Sequence, residues 1–384
     1  MILGIDASNI RGGGGVVHLV ELLRAAEPQK YQFEKVFVWG GTSTLDKIED
    51  RNWLEKVYEP LLNKSLLHRT YWQKFLLSKR AKQVNCDILF IPGGTYSGGF
   101  RPFVTMSQNL LPFEVEEIKR YGFSLFAIKM KMLRITQSKT FKSADGVIYL
   151  TEFARERVLT QLNKTKENTV IVHHGINSKF YGKPKEQKEI SEYSTSNPYK
   201  LLYVSFIGEY KHQWNVVKAV DILRRKNMPL ELTLIGNPDE KKAFIKLKET
   251  ISKVDPENRY IKYYSGISHQ EIESFYKGSD LFVFASSCET FGQILTEAMA
   301  SGLPIACSEM SAMPELLGEA GVFFNPLKPD SISDSIEKLI MNKNFRVECS
   351  SKAYNKAQKF SWEKCAEETF LFFNRIALTN ISSN

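Results

Sequence analysis

Phe284-Ala285-Ser286-Ser287-Cys288-Glu289-Thr290-Phe291-Gly292-Gln293-Ile294-Leu295-Thr296-Glu297-Ala298-Met299-Ala300-Ser301-Gly302-Leu303-Pro304 decides how this chain is read. The apolar run Leu281-Phe282-Val283-Phe284 leading into it reads as a buried strand. A small-residue turn then carries Glu289. A helix is expected from about Thr290, with Ile294, Leu295, Ala298 and Met299 spaced for packing. Gly302 and Pro304 end it, because glycine suits the C-terminal cap and proline cannot continue a helix. Phe291-Gly292-Gln293 would present backbone N–H groups at the helix N-terminus, an anion site carrying roughly +0.5 of a charge. Gly292, lacking a Cβ, would let the anion come close. Glu289 sits above the strand and Glu297 about two turns down the helix. Two carboxylates flanking an anion site suit a ligand with hydroxyls on both sides of a phosphate, which is the shape of a nucleotide-sugar.

The chain has 384 residues, enough for two or three domains that each bury a core. It carries a net charge of +9. That balance favours acidic partners such as nucleotide phosphates, anionic lipid surfaces or nucleic acid, with solubility alone as the competing reading. No run of 18 apolar residues occurs, so no spanning helix is expected. Residues 1–6 lack the basic and long apolar regions of a secretion signal and read as a first strand. The five cysteines show no CxxC spacing and fit a reducing cytosol as small core residues. The six histidines show no ligand spacing, and no zinc is expected.

After the strand 2–5 comes Ser8-Asn9-Ile10-Arg11-Gly12-Gly13-Gly14-Gly15, followed by an expected helix over 16–26. A glycine-rich loop ahead of a helix can wrap a phosphate; a flexible turn is the alternative. The dinucleotide fingerprint needs its glycines directly after the strand. Here residues 6–12 intervene, which weighs against a nicotinamide cofactor. Strands are expected over 35–39, 87–91 and 103–106, with a helix over 71–84 between the first two. The third strand runs into Gln108 and Asn109, where ordinary turn chemistry competes with a ligand role.

The expected helix over 123–141 interleaves Lys129, Lys131, Arg134 and Lys139 with Phe126, Met130, Leu133 and Ile135. That pattern suits either an anionic membrane surface or a solvated face on a core-packed helix. A strand over 146–150 follows, then a helix over 152–162 capped by Thr151, then a strand over 169–172 ending in His173-His174, read as structural. Residues 183–199 are polar, charged and without apolar period, and read as a linker. Beyond them strand and helix alternate: strands over 201–205, 230–235, 260–264 and 281–284, helices over 213–225, 239–252 and 270–277. Alternation of this kind implies a parallel sheet with helices on both faces, and the N-terminal half keeps the same rhythm. The expected fold is α/β, with two Rossmann-like doubly wound domains facing a cleft.

The stretch Glu289-Thr-Phe-Gly-x4-Glu297-Ala-Met-Ala-x-Gly-x-Pro304, continued by Ser311-Ala-Met-Pro-Glu315 and Ala320-Gly321, resembles the signature of the family-4 retaining glycosyltransferases of GT-B fold. The resemblance implies domains at 1–182 (acceptor side), 183–199 (linker) and 200–360 (nucleotide-sugar side). It also implies a closing helix in 361–384 that crosses back to the first domain. It places Gly13 and Gly14 against the donor diphosphate. Lys211 becomes the clamp lysine after the strand 201–205, with Phe206 about where the family commonly has an arginine. Gly236 lies along the nucleotide's path and Gly266 near its base. Thr290, Phe291, Gly292 and Gln293 join them as donor-binding residues. Glu297 is assigned to the ribose hydroxyls, as an ionised acceptor. Glu289 sits by the sugar, as nucleophile or electrostatic stabiliser, the second being preferred. Gln108-Asn109 stand where the family often has a histidine, on the acceptor side.

The function implied is retaining transfer from a nucleotide-diphosphate-sugar, mannose-type as a guess, to a saccharide or lipid-linked acceptor. The setting is cell-surface polysaccharide or glycolipid assembly, in the cytoplasm or at the inner membrane face, with no nucleic-acid partner. No Asp-x-Asp occurs in the sequence, so no metal and no cofactor is expected. The competing classes are a nucleotide-sugar epimerase of the same fold and a non-catalytic nucleotide-sugar binder. The first lacks the Glu289-to-Met299 run; the second would never hydrolyse a donor.

Overall fold

The structure is a computed structural model in which residues 1–163, 167–268 and 271–381 are described. The chain divides into two compact units. One comprises Met1–Ile118, Gly122–Gly175 and Ser361–Asn384; the other comprises Lys119–Tyr121 and Ile176–Phe360. Gln270 and residues 382–384, included in the readings above, lie outside the described residues.

The first unit contains β1 (Ile2–Asp6), β2 (Lys35–Gly40), β3 (Leu54–Tyr58), β4 (Ile88–Ile91), β5 (Phe103–Ser107), β6 (Gly146–Tyr149) and β7 (Thr169–Ile171). They form one parallel sheet in the order β3-β2-β1-β4-β5-β6-β7. The second unit contains β8 (Tyr199–Val204), β9 (Leu230–Ile235), β10 (Ile261–Tyr264), β11 (Leu281–Phe284), β12 (Ile305–Ser308) and β13 (Val322–Phe324). Its order is β10-β9-β8-β11-β12-β13, again parallel throughout. The central strands β4, β5, β6, β11 and β12 are buried along their whole length, as strands covered by helices on both faces must be. The fold class is the expected one: two doubly wound Rossmann-like sheets.

Several elements depart from the sequence reading. The edge strand β3 was not expected, because only Leu54 of its five residues is buried and little apolar signal remains. β12, β13 and the helices Pro329–Ile340 and Lys343–Ala357 also went unread. The first helix begins at Gly13, so three of the four glycines form its opening turn instead of a loop. The helical stretch before β4 opens earlier, at Leu66, and contains a π-turn over Trp72–Leu76. Residues 183–199 lie along the second unit: Lys185 donates to Ser279 O at 2.8 Å, and the buried Arg346 donates to Gln187 Oε1 at 3.2 Å. The last helix, Trp362–Ile381, packs within the first unit, with Phe373 on Phe90 at 4.9 Å. A Cβ on Gly146 would stand 2.8 Å from the Phe372 ring, so the glycine leaves room for that ring against the strand.

Candidate active site

Ligands of an open parallel sheet bind beyond the carboxyl ends of the strands, where the strand order reverses. In the second unit that point lies between β8 and β11. Lys211 follows β8, Glu289 follows β11, and the Lys211 ammonium is ion-paired with Glu289 Oε1 across the switch. Both side chains are largely buried, 6% and 17% exposed. The rings of Phe206, Tyr210 and Phe284 stand around the ammonium with centroids at 5.0, 5.0 and 5.6 Å. Aromatic faces attract a cation, so Phe206 supports the lysine from the place where an arginine was anticipated. Lys211 closes the short 3-10 turn Glu209–Lys211, and His212 then caps the helix Gln213–Arg225. Ser287 N–H donates to Tyr210 O at 2.9 Å, tying this turn to the segment that carries Glu289.

The helix after Glu289 spans Gln293–Ala300, three residues later than expected. Gly292 is its cap, with φ +87. That left-handed conformation disfavours any side chain, and a Cβ would lie 2.6 Å from Met313 Cε. The backbone conformation thus asks for glycine here, and the Met313 side chain lies close on the same side. Thr290 and Phe291 are buried, and Phe291 packs edge-on against Phe360 at 5.7 Å, so its ring serves the core. Gln293 opens the helix and is partly exposed.

Glu297 differs from Glu289 in kind. It is buried, and Tyr276 OH donates to its Oε2 at 3.2 Å. Burial pushes its carboxyl up to about 8, against the smaller pull of Tyr276 and the Lys179 charge. Burial thus works against the ionised form that the sequence reading gave to Glu297. Further along the sheet, a Cβ on Gly236 would collide with Ser205 O at 1.8 Å, so this glycine permits β8 and β9 to close up. Gly266 has open space where a Cβ would stand, φ +72, and donates its N–H to Asn237 Oδ1 at 2.9 Å. The strand order therefore sets Gly266, Gly236, Lys211 and Glu289 in a row along one edge of this sheet.

Gly13, Gly14, Gln108 and Asn109 belong to the first unit. There the order reverses between β1 and β4, and a cavity of about 260 Å³ opens, lined among others by Gly12, Gly14, Gly15, Gln108, Asn109 and Gln137. A Cβ on Gly13 or Gly14 would meet nothing within 4 Å, and Gly13 has φ +64. Gln108 Nε2 donates to Pro92 O at 3.2 Å, while Asn109 Oδ1 accepts from Leu111 N–H at 3.1 Å in ordinary turn fashion. His174 also lines the cavity and stacks on the buried His18 at 4.7 Å.

Sequence reasoning missed Asp6 and Gln137. The buried Asp6 accepts from Gln73 Nε2 at 2.7 Å and Ser8 Oγ at 2.8 Å, anchoring the loop beneath the glycines. Gln137, 4% exposed, holds an Oε1 with no hydrogen-bond partner among the described residues. Gln137 lies seven residues, about two helical turns, after the buried Met130, a spacing that puts both on one face, but nothing in the sequence pointed to a cavity. Among those residues no group of three or more His, Cys, Asp or Glu could hold a metal ion.

Two family models match the chain: Glycosyltransferase Family 4 over residues 12–180, and Glycosyl transferases group 1 over residues 184–356. The O-antigen chain mannosyltransferase B of Escherichia coli is 23% identical over 249 residues, 63% of this chain and 63% of that protein. This chain thus spans less than two thirds of that curated relative's length. Among solved structures, sucrose-phosphate synthase from Thermosynechococcus elongatus matches with a TM-score of 0.75 at 16% identity, covering 100% of both chains. Anabaena HepE in complex with UDP-glucose matches with a TM-score of 0.66 at 17% identity, over 100% of this chain and 99% of that one. With both halves matched by models of one enzyme group and the fold shared, the chain belongs to the family-4 glycosyltransferases of GT-B fold.

Proposed function

We propose that this protein is a retaining, metal-independent glycosyltransferase that moves a hexose from a nucleoside-diphosphate sugar to a saccharide or lipid-linked acceptor, in cell-surface polysaccharide or glycolipid assembly. The observation that carries this reading is the Lys211–Glu289 pair at the β8/β11 switch point, beside the N-terminus of Gln293–Ala300. When the anomeric C–O bond breaks, its electron pair passes to the β-phosphate oxygen and the sugar gains oxocarbenium character. Lys211 and the helix N-terminus meet the growing negative charge, and the Glu289 carboxylate faces the positive sugar. The acceptor hydroxyl bonds to the anomeric carbon on the face the phosphate leaves and gives its proton to the departing oxygen. The absence of any Asp-x-Asp supports a route without a divalent ion. The UDP-glucose in the HepE structure and the mannosyltransferase relative support a nucleotide-sugar donor, mannose-type by likeness.

The acceptor side is assigned to the first unit. Its cavity offers carboxamides, with Gln137 Oε1 ready to accept from a saccharide hydroxyl. The same unit supports a peripheral position on the inner face of an anionic membrane. Leu66, Leu67, Tyr71 and Phe75 on one helical stretch, and Leu125, Ile128, Met132 and Ile135 on the helix Leu125–Ser143, stand exposed. Residues 64–85 and 125–143 contain basic side chains and no acidic one. Both stretches hold the loop between β4 and β5: Gln73 Nε2 donates to Thr95 O at 3.1 Å, and Tyr96 N–H donates to Thr140 Oγ1 at 2.9 Å. Apolar side chains among cations suit the headgroup region of anionic lipid. No helix among the described residues is long and apolar enough to cross a membrane.

The test is incubation with a panel of UDP-, GDP- and ADP-sugars in EDTA, without acceptor, followed by NMR of the released sugar. Slow hydrolysis of one donor with retained anomeric configuration is expected. No hydrolysis of any donor, inverted product, or activity that only manganese restores would overturn the reading.

A further inference from the structure

Eight non-glycine residues among those described have a left-handed backbone, and five are asparagine, which tolerates it. Gln32 lies apart from the site, after the turn Pro28–Tyr31. The remaining two, His212 with φ 52 and Ser311 with φ 60, stand on either side of the Lys211–Glu289 pair. Ser311 follows β12, and its hydroxyl does two things at once. It accepts from Glu289 N–H at 2.8 Å and donates to Glu289 C=O at 2.8 Å, gripping the residue's backbone on both sides. His212 directly follows Lys211, and its Nε2 is hydrogen-bonded to Ser287 Oγ at 2.9 Å. Ser287 lies two residues before Glu289 in the chain. Burial, with Arg120 and Lys246 nearby, pushes the imidazole down to about 3, so it is neutral at working pH. Residues in sparsely populated conformations persist only where surrounding contacts over-determine them, and such residues gather at working sites.

We infer that Ser311 and His212 are positioning residues, which fix the Glu289 carboxylate and the Lys211 turn relative to each other at the cost of local backbone strain. Neither touches the reacting atoms; each acts through its neighbour. The inference rests on the transferase reading for its kinetic consequence and on the hydrogen bonds alone for its structural one.

The experiment pairs Ser311→Gly with Ser311→Ala. Glycine loses the hydroxyl but takes φ 60 without strain, so its melting temperature should fall less than alanine's. Alanine loses the hydroxyl and keeps the strain, so its melting temperature should fall. In both, hydrogen exchange at the Glu289 amide should quicken. The kcat of the donor reaction should drop roughly 10- to 100-fold with little change in donor KM, as a small misplacement of a reacting group does. His212→Asn, which also accepts a left-handed backbone, should show a smaller loss of kcat. Unchanged exchange at Glu289 in Ser311→Gly overturns the clamp. Faster exchange with wild-type kcat overturns the positioning role. A wild-type protein that turns over no donor sinks the transferase reading instead, and the exchange measurement still decides the clamp.

Discussion

The ammonium of Lys211 and the carboxylate of Glu289, 78 residues apart in sequence, meet in an ion pair walled by three aromatic rings. Removing one partner of a largely buried pair leaves an uncompensated charge, typically costing about 3–5 kcal/mol, whereas replacing both by apolar or neutral groups is often nearly neutral. Glu289→Gln and Lys211→Met should therefore each lower the unfolding free energy, and the double variant should regain most of it. Turnover should not recover: each single change is expected to cut kcat about 10²- to 10³-fold, and the double should remain as slow. Chemical denaturation beside donor-hydrolysis kinetics checks both. A double variant regaining turnover would show the pair to be architectural only.

Glu297 makes stability depend on pH in an uncommon direction. Its carboxyl stands at about 8 when folded, against 4.5 ordinarily. The folded protein thus binds this proton more tightly than the unfolded chain does. Stability from this group is present at low pH, falls as pH climbs from about 4.5 towards 8, and levels off beyond. A carboxyl displaced by even one pH unit alters stability by about 1.4 kcal/mol. Glu297→Gln, which stays neutral throughout, should show a flatter melting-temperature profile between pH 5 and 8 than the wild type. Parallel profiles would mean that water reaches the carboxylate.

A change at Gln137 tests the acceptor side of the proposed reaction apart from the donor side. An unpaired buried carbonyl oxygen is costly to the fold. Gln137→Leu should therefore leave the melting temperature unchanged or raise it. It should raise the acceptor's KM about tenfold, the worth of one hydrogen bond of about 1.4 kcal/mol, while donor KM stays put. An unchanged acceptor KM would remove the cavity from the acceptor site.

The two exposed helical stretches of the first unit should bind membranes together. Vesicles of phosphatidylcholine with anionic phosphatidylglycerol should sediment the protein at low salt, and neutral vesicles should do so far less. Leu67→Glu and Ile135→Glu, one on each stretch, should each weaken sedimentation severalfold and leave donor hydrolysis intact. Binding that ignores both changes, or fails altogether, would reduce these stretches to solvated faces.

Much of this was legible beforehand because it is local. The runs Leu230–Ile235 and Leu281–Phe284 and the helix Gln213–Arg225 have the bounds their apolar spacing predicts. Thr151 caps its helix by accepting from Ala154 N–H at 3.2 Å. The edge strand β3 was lost because half-exposed strands carry a weak pattern. The helix start near Glu289 was misplaced because Gly292 takes a left-handed backbone, φ +87, and delays the first helical turn to Gln293.

Alone, the order of residues determined two parallel sheets, a helix following the glycine run in the first half and a carboxylate-glycine-carboxylate run in the second. Those features arise within a dozen or so neighbouring residues, where periodicity and backbone freedom act. Only the folded arrangement decided that Lys211 meets Glu289, that burial pushes the Glu297 carboxyl up, that Ser311 grips a peptide 22 residues away, and that Gln137 faces a cavity. Charge pairing and loss of water depend on which distant segments come together, and the switch points of the two sheets are where they do.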